Sequence, residues 1–441
     1  MAQKLKFGNG TWATKKGSTL AYNDENDRYK PLPFTTTRDS IATRVNKEGL
    51  IEVVGKDIPR IDYTDSSDGV LLLENSATNL VTYSEDFSNS AWTKGNTTIT
   101  SDSLISPNGS LNASTLTDNT ANTIHRLRDS ISLSASTDYG LSIFAKKGTL
   151  SNIQLALINT ANSHTASRVF DLENGVLGES ITSGGTLSDS KITDYGNGWY
   201  RCEITSQFSS TPNTYQVTLA TKSSGNSSTG NQVTYDGDGN GNVYLWGAQL
   251  EQGSYATSYI PTSGSTVQRA ADTASGAGNS EVFNDSEGVL FADMSALADD
   301  GTVRSIALSD GTGINRINIR FRSQSNELSY SLFVSGETTK SMIHTVSDTR
   351  DFHKTAAYWK QDDLKFYVNG FLVDSINSAN MLPSNTLNRL NFDSGAGLSD
   401  LYGKTKEIGY YDTALTDEEL EYITSYRSLN ELVTELNLNT L

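Results

Sequence analysis

Apolar and polar residues alternate with a period of two along many short stretches of this chain, and no other feature constrains the fold as strongly. In INRINIRFR at 314–322, for example, isoleucine and phenylalanine alternate with arginine and asparagine. Alternation of this kind is typical of antiparallel strands that bury one face, and turn residues interrupt the stretches at short intervals. The sequence therefore predicts an all-β fold of tandem antiparallel β-sandwiches.

The pattern divides the chain into five segments. We expect a small irregular N-terminal head at 1–77, a sandwich at 78–262, a polar linker at 263–287, a second sandwich at 288–415 and a short helical tail at 416–441. The tail is predicted because Thr416 and Glu419 have the spacing of a helix capping box. Its helices are expected to cover the second sandwich or, alternatively, to contact other subunits.

Composition and charge exclude several classes of protein. The 441 residues carry 34 Lys and Arg against 51 Asp and Glu, a net charge of −17. An acidic surface repels phosphate backbones, so we expect no nucleic-acid binding. No apolar stretch approaches the roughly 18–20 residues of a membrane span, so no membrane insertion is expected. The single cysteine, Cys202, excludes an internal disulfide framework.

An ordered series of short motifs spans residues 40–270. The motifs are ATRVN at 42–46, GLIE at 49–52, PRIDY at 59–63, LLLE at 71–74, NL at 79–80, YSEDF at 83–87, Trp92, FAKKG at 144–148, GWYR at 198–201, WGAQLE at 246–251 and ATSYIPT at 256–262. Taken together they resemble the N-terminal region shared by many tailed-phage fibre, spike and head-decoration proteins.

The resemblance implies a fold for each sandwich. The family's middle domain is similar to carbohydrate-binding-module jelly rolls, which implies contact with glycans. Residues 288–425 more loosely resemble a laminin-G-like or concanavalin-like sandwich, through FYVNG at 366–370 and the closing segment at 408–419.

The resemblance also implies a role. We expect a structural phage virion protein that docks on the capsid or tail through the head at 1–77 and binds host-surface glycans. Its partners would be other virion proteins, the host glycan and further copies of itself, with a trimer as the expected oligomer. The N-terminal residues show no apolar signal-peptide core, so we expect assembly in the host cytoplasm and exposure on the particle. A capsid decoration protein without sugar binding and a polysaccharide depolymerase are the alternatives.

Four residues are candidates for glycan binding. Trp92 lies beside a polar loop and is expected to be exposed, where a ring stacks on a sugar, although a strand tryptophan more often packs in a core. His125 and Leu127 are predicted to share one face of a strand, with Arg126 and Arg128 on the other. Paired arginines bind acidic sugars through charge-assisted hydrogen bonds, and a solvated strand surface is the alternative interpretation.

Neither a metal site nor a catalytic site stands out. Asp236, Asp238 and Asn240 match the first half of a calcium loop, but Gly247 occupies the position of its last ligand, and the same residues are typical of a tight turn. We expect no obligatory cofactor, with calcium as the open alternative. The E-x-D-x-x-E arrangement of concanavalin-type glycosidases is absent, so the sequence predicts that the protein is not an enzyme.

Overall fold

The structure is a computed structural model, and it describes residues 3–20, 22–23, 30–161, 164–222, 224, 228–229 and 232–435. The chain forms two compact units, which are described separately. The middle unit comprises Ala42–Val53 and Ser76–Arg269. The N/C unit comprises Met1–Ile41, Val54–Asn75 and Ala270–Leu441.

Strands make up most of the described residues. Up to residue 79 they are β1 (Leu5–Gly8), β2 (Ala13–Lys15), β3 (Ser18–Leu20), β4 (Tyr22–Asn23), β5 (Lys30–Pro31), β6 (Phe34–Thr37), β7 (Ala42–Val45), β8 (Ile51–Val54), β9 (Ile61–Asp62), β10 (Val70–Leu73) and β11 (Ala77–Asn79). From residue 93 to 252 they are β12 (Thr93–Gly95), β13 (Thr97–Ile105), β14 (Leu111–Asp118), β15 (Asn122–Thr123), β16 (Arg126–Ser130), β17 (Asp138–Lys147), β18 (Asn152–Asn159), β19 (His164–Asp171), β20 (Val176–Ser183), β21 (Gly185–Asp194), β22 (Trp199–Phe208), β23 (Thr214–Ala220), β24 (Ser228–Thr229), β25 (Gln232–Val233), β26 (Tyr235–Asp236) and β27 (Asn242–Gln252).

The remaining elements lie between residues 267 and 435. The strands are β28 (Val267–Arg269), β29 (Thr273–Ser275), β30 (Glu287–Ala296), β31 (Arg304–Ser309), β32 (Arg316–Phe321), β33 (Glu327–Val334), β34 (Glu337–Thr345), β35 (His353–Lys360), β36 (Asp363–Val368), β37 (Phe371–Ile376), β38 (Arg389–Asn391) and β39 (Gly403–Tyr411). The helices are α1 (Asp417–Thr424) and α2 (Leu429–Glu435).

The middle unit is a sandwich of two antiparallel sheets. Sheet 1 has the strand order β13-β14-β27-β17-β22-β21, and Sheet 2 has the order β12-β16-β23-β18-β19-β20. The inward-facing side chains of the two sheets form one core, which includes Leu141, Leu155 and Val217. The prediction of an antiparallel sandwich is confirmed here, and the alternation of β16 and β23 leaves a second set of side chains on the outer face of Sheet 2.

Two of the sequence motifs bind each other inside this unit. The backbone N–H and the hydroxyl of Thr257 both donate to the carboxylate of Glu251, each at 2.7 Å. The N–H of Ile260 donates to Oε1 of Gln249, also at 2.7 Å. The strand motif at 246–251 therefore holds the segment at 256–262 in place. Glu251 and Gln249 act here as hydrogen-bond acceptors that stabilise the fold.

The N/C unit is a second sandwich. Sheet 3 has the strand order β37-β36-β35-β30-β39-β1-β4-β5, with β10 also paired to β39, and Sheet 4 has the order β34-β33-β32-β31-β38. Their shared core includes Ile317, Tyr330 and Trp359. The fold class predicted from sequence, tandem antiparallel sandwiches with a short helical end, is thus confirmed.

The N-terminal residues complete this second sandwich, which differs from the separate head predicted at 1–77. Strand β1 pairs with β39 from Leu5 opposite Tyr410 to Gly8 opposite Glu407. Strand β10 pairs with the other end of β39. The apolar side chains of these short strands are buried in the core of the N/C unit because they are too few to form a core of their own. The segment predicted as a linker at 263–287 also differs from the prediction, because it contains the strands β28 and β29.

A buried ion-pair network joins distant parts of the N/C unit. Arg38 Nη1 donates to Asp272 Oδ1 at 2.9 Å, and Arg60 donates to both Asp272 and, at 2.6 Å, Glu74 Oε2. Burial alone would lower the pKa of Arg60, but the charges of Asp272 and Glu74 raise it above its usual value. We call these four residues the Asp272 network.

The helical end begins as predicted. Thr416 caps α1, and Glu419 returns the hydrogen bond in a complete capping box. Leu420 of α1 packs on the outer face of Sheet 3 in a small cluster with Val289 and Tyr358. No helix in the described ranges has the length and apolar character needed to cross a membrane. Residues 436–441 of the predicted tail lie outside the described residues.

Candidate functional site

Arg126 and Arg128 project from the outer face of Sheet 2. Their strand, β16, alternates as predicted: Leu127 is buried in the core, whereas both arginines are half-buried on the opposite side. Arg126 lies opposite Gly95 of the edge strand β12, which has no side chain to displace it. The strand period therefore brings two cations, two residues apart, to the same face.

The neighbouring strands supply a polar floor beside these arginines. Arg126 is in register with Thr218 and Arg128 with Gln216, both on β23. The next two strands contribute buried polar side chains at matching positions. We define the Arg126–Arg128 face by Arg126, Arg128, Gln154, Ser167, Gln216 and Thr218.

Hydrogen bonds connect most of the polar groups of this floor. Gln154 Nε2 donates to Ser167 Oγ at 2.8 Å, and Gln216 Nε2 donates to Thr218 Oγ1 at 2.9 Å. Oε1 of Gln216 is buried and has no hydrogen-bond partner among the described residues. A buried amide oxygen without a donor is costly, and a ligand that supplies one removes this cost.

The electrostatics of the face are strongly cationic. Arg126 Nη1 donates to Oε1 of Gln232 at 2.6 Å, and this neutral partner does not offset the charge. Burial, and then the charge of Arg128, lower the pKa of Arg126. Within the described residues neither arginine is ion-paired, and Arg128 has no hydrogen-bond acceptor. The face can therefore accept an anionic group together with neutral hydroxyls.

Trp92 does not lie on this face, and its expected exposure is wrong. It is 2% exposed and packs between Phe87 and Tyr215, with ring centroids 5.3 and 5.4 Å away. Its Nε1 donates to the carbonyl of Tyr83 at 2.9 Å. The polar segment before it folds back over the ring, so the residue is part of the core rather than a stacking platform.

His125 is also buried rather than available to a ligand. Its ring packs at a tilt against Tyr235 with centroids 4.5 Å apart, and its Nε2 lies 3.2 Å from the carbonyl oxygen of Asn119. A side chain at Gly237 would meet the ring, so the neighbouring loop closes directly over it. Its position supports the loop beside β16 rather than the arginine pair.

The weak calcium candidates form a turn. Oδ1 of Asp238 accepts from the backbone N–H groups of Asn240 and Gly241 at 2.8 and 3.2 Å, while Asp236 pairs with Asn122 in a short two-stranded ladder. Across the part of the chain that the structure describes, no group of three or more His, Cys, Asp or Glu side chains could hold a metal ion. The carboxylate of Asp238 is thus engaged by its own loop.

Sequence reasoning identified the arginines but missed the floor. Gln216 lies in an alternating stretch, so its face was predictable from β23 alone. That this face adjoins Arg128 depends on the pairing of β16 with β23 across some ninety residues, which no local pattern reveals. The same applies to Gln154 on β18.

One pair of carboxylates in the N/C unit has features of acid–base chemistry. Asp393 is buried two residues after the end of β38, and Asp400 follows in the same loop. Burial raises the pKa of Asp400, the hydroxyl of Tyr402 partly opposes this by donating to it at 3.1 Å, and the charge of Asp393 raises the pKa further. Two neighbouring carboxyls, one of them with a raised pKa, are the kind of pair that glycoside hydrolysis uses.

These observations define an all-β protein of two sandwiches with a cationic, polar outer sheet face. In sequence, the model of the family described as glycosyl hydrolases family 16 matches residues 247–394. The match covers less than half of the chain. No curated protein matches it in sequence.

Several solved structures have similar sandwiches. The carbohydrate-binding module (CBM40) of the Ruminococcus gnavus IT-sialidase is 15% identical over 34% of this chain and 94% of its own, with a TM-score of 0.30. Domains LG4-5 of the mouse laminin alpha1 chain are 6% identical over 70% of this chain and 90% of their own, with a TM-score of 0.23. A structure titled native glycosidic hydrolase is 18% identical over 37% of this chain and 74% of its own, with a TM-score of 0.25.

The family match corrects one expectation. The sequence analysis predicted that the protein is not an enzyme, because no local E-x-D-x-x-E pattern is present. The match of a glycosyl hydrolase model to 247–394 overturns that prediction. Catalytic carboxylates can come from separate strands and loops, which a search for one local pattern does not detect. None of the matches bears on the resemblance to phage virion proteins, which stays a prediction.

Proposed function

We propose that the protein binds acidic glycans at the Arg126–Arg128 face. The observation that carries this proposal is the pair of half-buried arginines that no described carboxylate neutralises. A sugar carboxylate accepts charge-assisted hydrogen bonds from the two guanidinium groups. The unpartnered Oε1 of Gln216 accepts a hydrogen bond from a sugar hydroxyl.

The experiment compares an acidic sugar with its neutral counterpart. Sialyllactose and lactose are titrated into the full-length protein by isothermal titration calorimetry. The double variant Arg126→Gln/Arg128→Gln removes both cations. The matched control, Lys147→Gln/Lys191→Gln, removes two exposed cations from Sheet 1 and changes the net charge equally.

The wild-type protein and the lysine control should bind sialyllactose at least tenfold more tightly than lactose, and the arginine variant should lose this preference. Equal binding by the arginine variant and the wild type would reject the face as the glycan site. Added salt should weaken binding, since the contact is between charges at a partly exposed surface.

The biological setting is a further part of the proposal. The ordered motifs of residues 40–270 support a place on a phage particle, where the sandwiches would contact host-surface glycans and many copies would compensate for weak single sites. Fluorescently labelled protein should bind host cells saturably and lose that binding when surface glycans are stripped. Absence of binding by a preformed oligomer would favour the capsid decoration role.

Glycoside hydrolysis is a second candidate, favoured by the family match to 247–394. Asp400, which lies just beyond the matched residues, would act as the general acid and Asp393 as the second carboxylate. Release of reducing ends from a panel of polysaccharides would be measured for the wild type and for Asp400→Asn. Hydrolysis that Asp400→Asn abolishes supports this role, and hydrolysis at an unchanged rate in the variant assigns it to other residues.

A further inference from the structure

The N/C unit carries a second pair of arginines on an outer sheet face. Strand β32 alternates so that Ile317 and Ile319 lie in the core between Sheets 3 and 4. Arg316, Asn318 and Arg320 therefore project from the outer face of Sheet 4. β32 is flanked on both sides, by β31 and β33, so these side chains stand in the interior of the sheet rather than at an edge.

Small side chains flank two of these three residues on the neighbouring strands. Asn318 lies between Ala307 on β31 and Ser331 on β33 in the register of the sheet. Arg320 lies in the same way between Ser305 and Ser329. Arg316 instead lies between Ser309 and Phe333. We define the Arg316–Arg320 face by Ser305, Ala307, Arg316, Asn318, Arg320, Ser329 and Ser331.

Two buried acceptors on this face are unpartnered. Asn318 is 1% exposed, and its Oδ1 makes no hydrogen bond within the described residues. Ser305 is also 1% exposed, and its Oγ makes no hydrogen bond with any described residue. Buried polar atoms are nearly always satisfied in folded proteins, so two neighbouring exceptions among the described residues are acceptors that a ligand can satisfy.

The charge of the face is uncompensated. Arg316 stacks on the ring of Phe333, 3.6 Å from its centroid, and donates to a backbone carbonyl, while Nε of Arg320 donates to Ser329 Oγ at 3.1 Å. Burial and the charge of Arg320 lower the pKa of Arg316, which Asp310 only partly opposes. Neither arginine forms an ion pair with any described residue.

Two other arginines in or next to the strands of Sheet 4 form ion pairs with carboxylates. Arg304 donates to both carboxylate oxygens of Asp300, at 2.9 and 3.0 Å. Arg322, which follows β32, is paired with Glu327. Pairing with an acid is thus available to arginines in this sheet, whereas the two at the centre of the face have no described acid as a partner.

We propose that the Arg316–Arg320 face is a second glycan-binding site, which takes a sugar carrying a carboxylate, such as a uronic acid. The Nη groups of Arg320 donate to the carboxylate, and Arg316 adds its charge from beside the Phe333 ring. Oδ1 of Asn318 accepts from a ring hydroxyl, and Ser305 completes the contact. This site belongs to the N/C unit and does not depend on the Arg126–Arg128 face.

The test uses oligogalacturonate as the probe and the full-length protein carrying Arg126→Gln/Arg128→Gln, which removes the first proposed site. Binding is measured by calorimetry in this background. Arg320→Gln should weaken the remaining binding at least tenfold, whereas Arg350→Gln, an exposed arginine elsewhere in the unit, should leave it unchanged. Equal affinity with and without Arg320→Gln would overturn the proposal.

A second variant guards against a trivial loss of folding. Asn318→Asp places a carboxylate between the two arginines, where it pairs with them in place of the ligand. This variant should lose oligogalacturonate binding while its melting temperature rises. Retained binding by Asn318→Asp would reject the face as a carboxylate site.

Further probes identify the group that is recognised. Neutral galactose oligomers should not bind, and acetate and sulfate should compete only weakly because they lack the ring hydroxyls. Sulfate that competes as well as oligogalacturonate would show a general anion site and would contradict the assignment to sugars. The proposal for the first face is decided separately, by the sialyllactose titration of Arg126→Gln/Arg128→Gln.

Discussion

Arginines of the N/C unit occur in two settings, and the difference shows what decides their role. In the Asp272 network, Arg38 and Arg60 are inaccessible and donate to carboxylates within the chain. On the Arg316–Arg320 face the two arginines are half-buried, and none of the described carboxylates is paired with them. Because a buried charge requires a partner, the first set contributes to folding, and the second set is available to a ligand.

The presence of a carboxylate partner, rather than any property of the arginine, decides between the two roles. Both sets come from short strands or their flanking turns, and the local sequence of each looks like ordinary alternation. Asp272 is more than two hundred residues from Arg60 in sequence. The comparison therefore predicts opposite effects of substitution: large losses of stability in the Asp272 network and large losses of binding on the arginine faces.

The largest effect is expected for Asp272→Asn. The substitution leaves two buried guanidinium groups without their shared carboxylate, and breaking a buried pair in this way costs about 3–5 kcal/mol. Urea unfolding followed by tryptophan fluorescence would measure the change. The exposed pair Arg350–Asp348 supplies the control, because Asp348→Asn should cost less than about 1 kcal/mol. Similar losses for both variants would contradict the distinction between buried and exposed pairs.

A loss of similar or slightly smaller size is expected for Trp92→Ala, which tests the corrected position of this residue. Removing a ring packed between Phe87 and Tyr215 costs about 3–5 kcal/mol. Tyr422→Ala, at a residue 65% exposed, should change the free energy of unfolding by less than about 0.5 kcal/mol. If Trp92→Ala kept full stability and lost only glycan binding, Trp92 would be a sugar platform after all.

The sequence predicted local structure well. The residues at 138–147 predict a strand, and this stretch is β17. The Asn369-Gly370 pair predicts a tight hairpin turn, and it joins β36 to β37 with φ values of 51° and 88°. Both features follow from neighbouring residues, namely alternation in the first case and tolerance of positive φ in the second.

Long-range pairing was beyond the reach of such patterns. The apolar residues at 70–73 predict a strand, but nothing near them indicates that its partner is β39, over three hundred residues away. The candidate site was limited in the same way. Alternation assigned Arg126 and Arg128 to one face, whereas the burial of Trp92 and His125 depends on loops that fold over them.

A much smaller change in stability is expected when an arginine is removed from an unpaired face. Arg128→Gln removes a charge that repels Arg126 and breaks no ion pair with a described residue. The free energy of unfolding should change by less than about 1 kcal/mol, and Arg320→Gln should behave likewise. Thermal unfolding at low ionic strength would measure both. A loss as large as that of Asp272→Asn would mean that these arginines are structural.

The smallest change in stability is expected at His353. Like the arginines it is a basic group, but its hydrogen-bond partners are neutral. The neutral ring donates through Nε2 to the carbonyl of Asp348 at 2.7 Å and accepts at Nδ1 from the amide of Asn369 at 3.0 Å. Burial lowers its pKa, which the hydrogen bond to Asp348 only partly offsets. The unfolded chain then binds the proton more readily, so this group reduces stability as the pH falls below about 6.5.

His353→Gln should therefore flatten the decline in melting temperature between about pH 7.5 and 5.5, a range set by the ordinary histidine pKa of about 6.5. His344 and the carboxylates are present in both proteins, so the difference between the two profiles reports on His353 together with its charge coupling to Asp348 and His344. Parallel profiles would mean that the ring is protonated as readily in the fold as in the unfolded chain. A buried histidine could then carry its charge without a carboxylate partner. The rule that a buried basic group needs such a partner would hold only for the arginines.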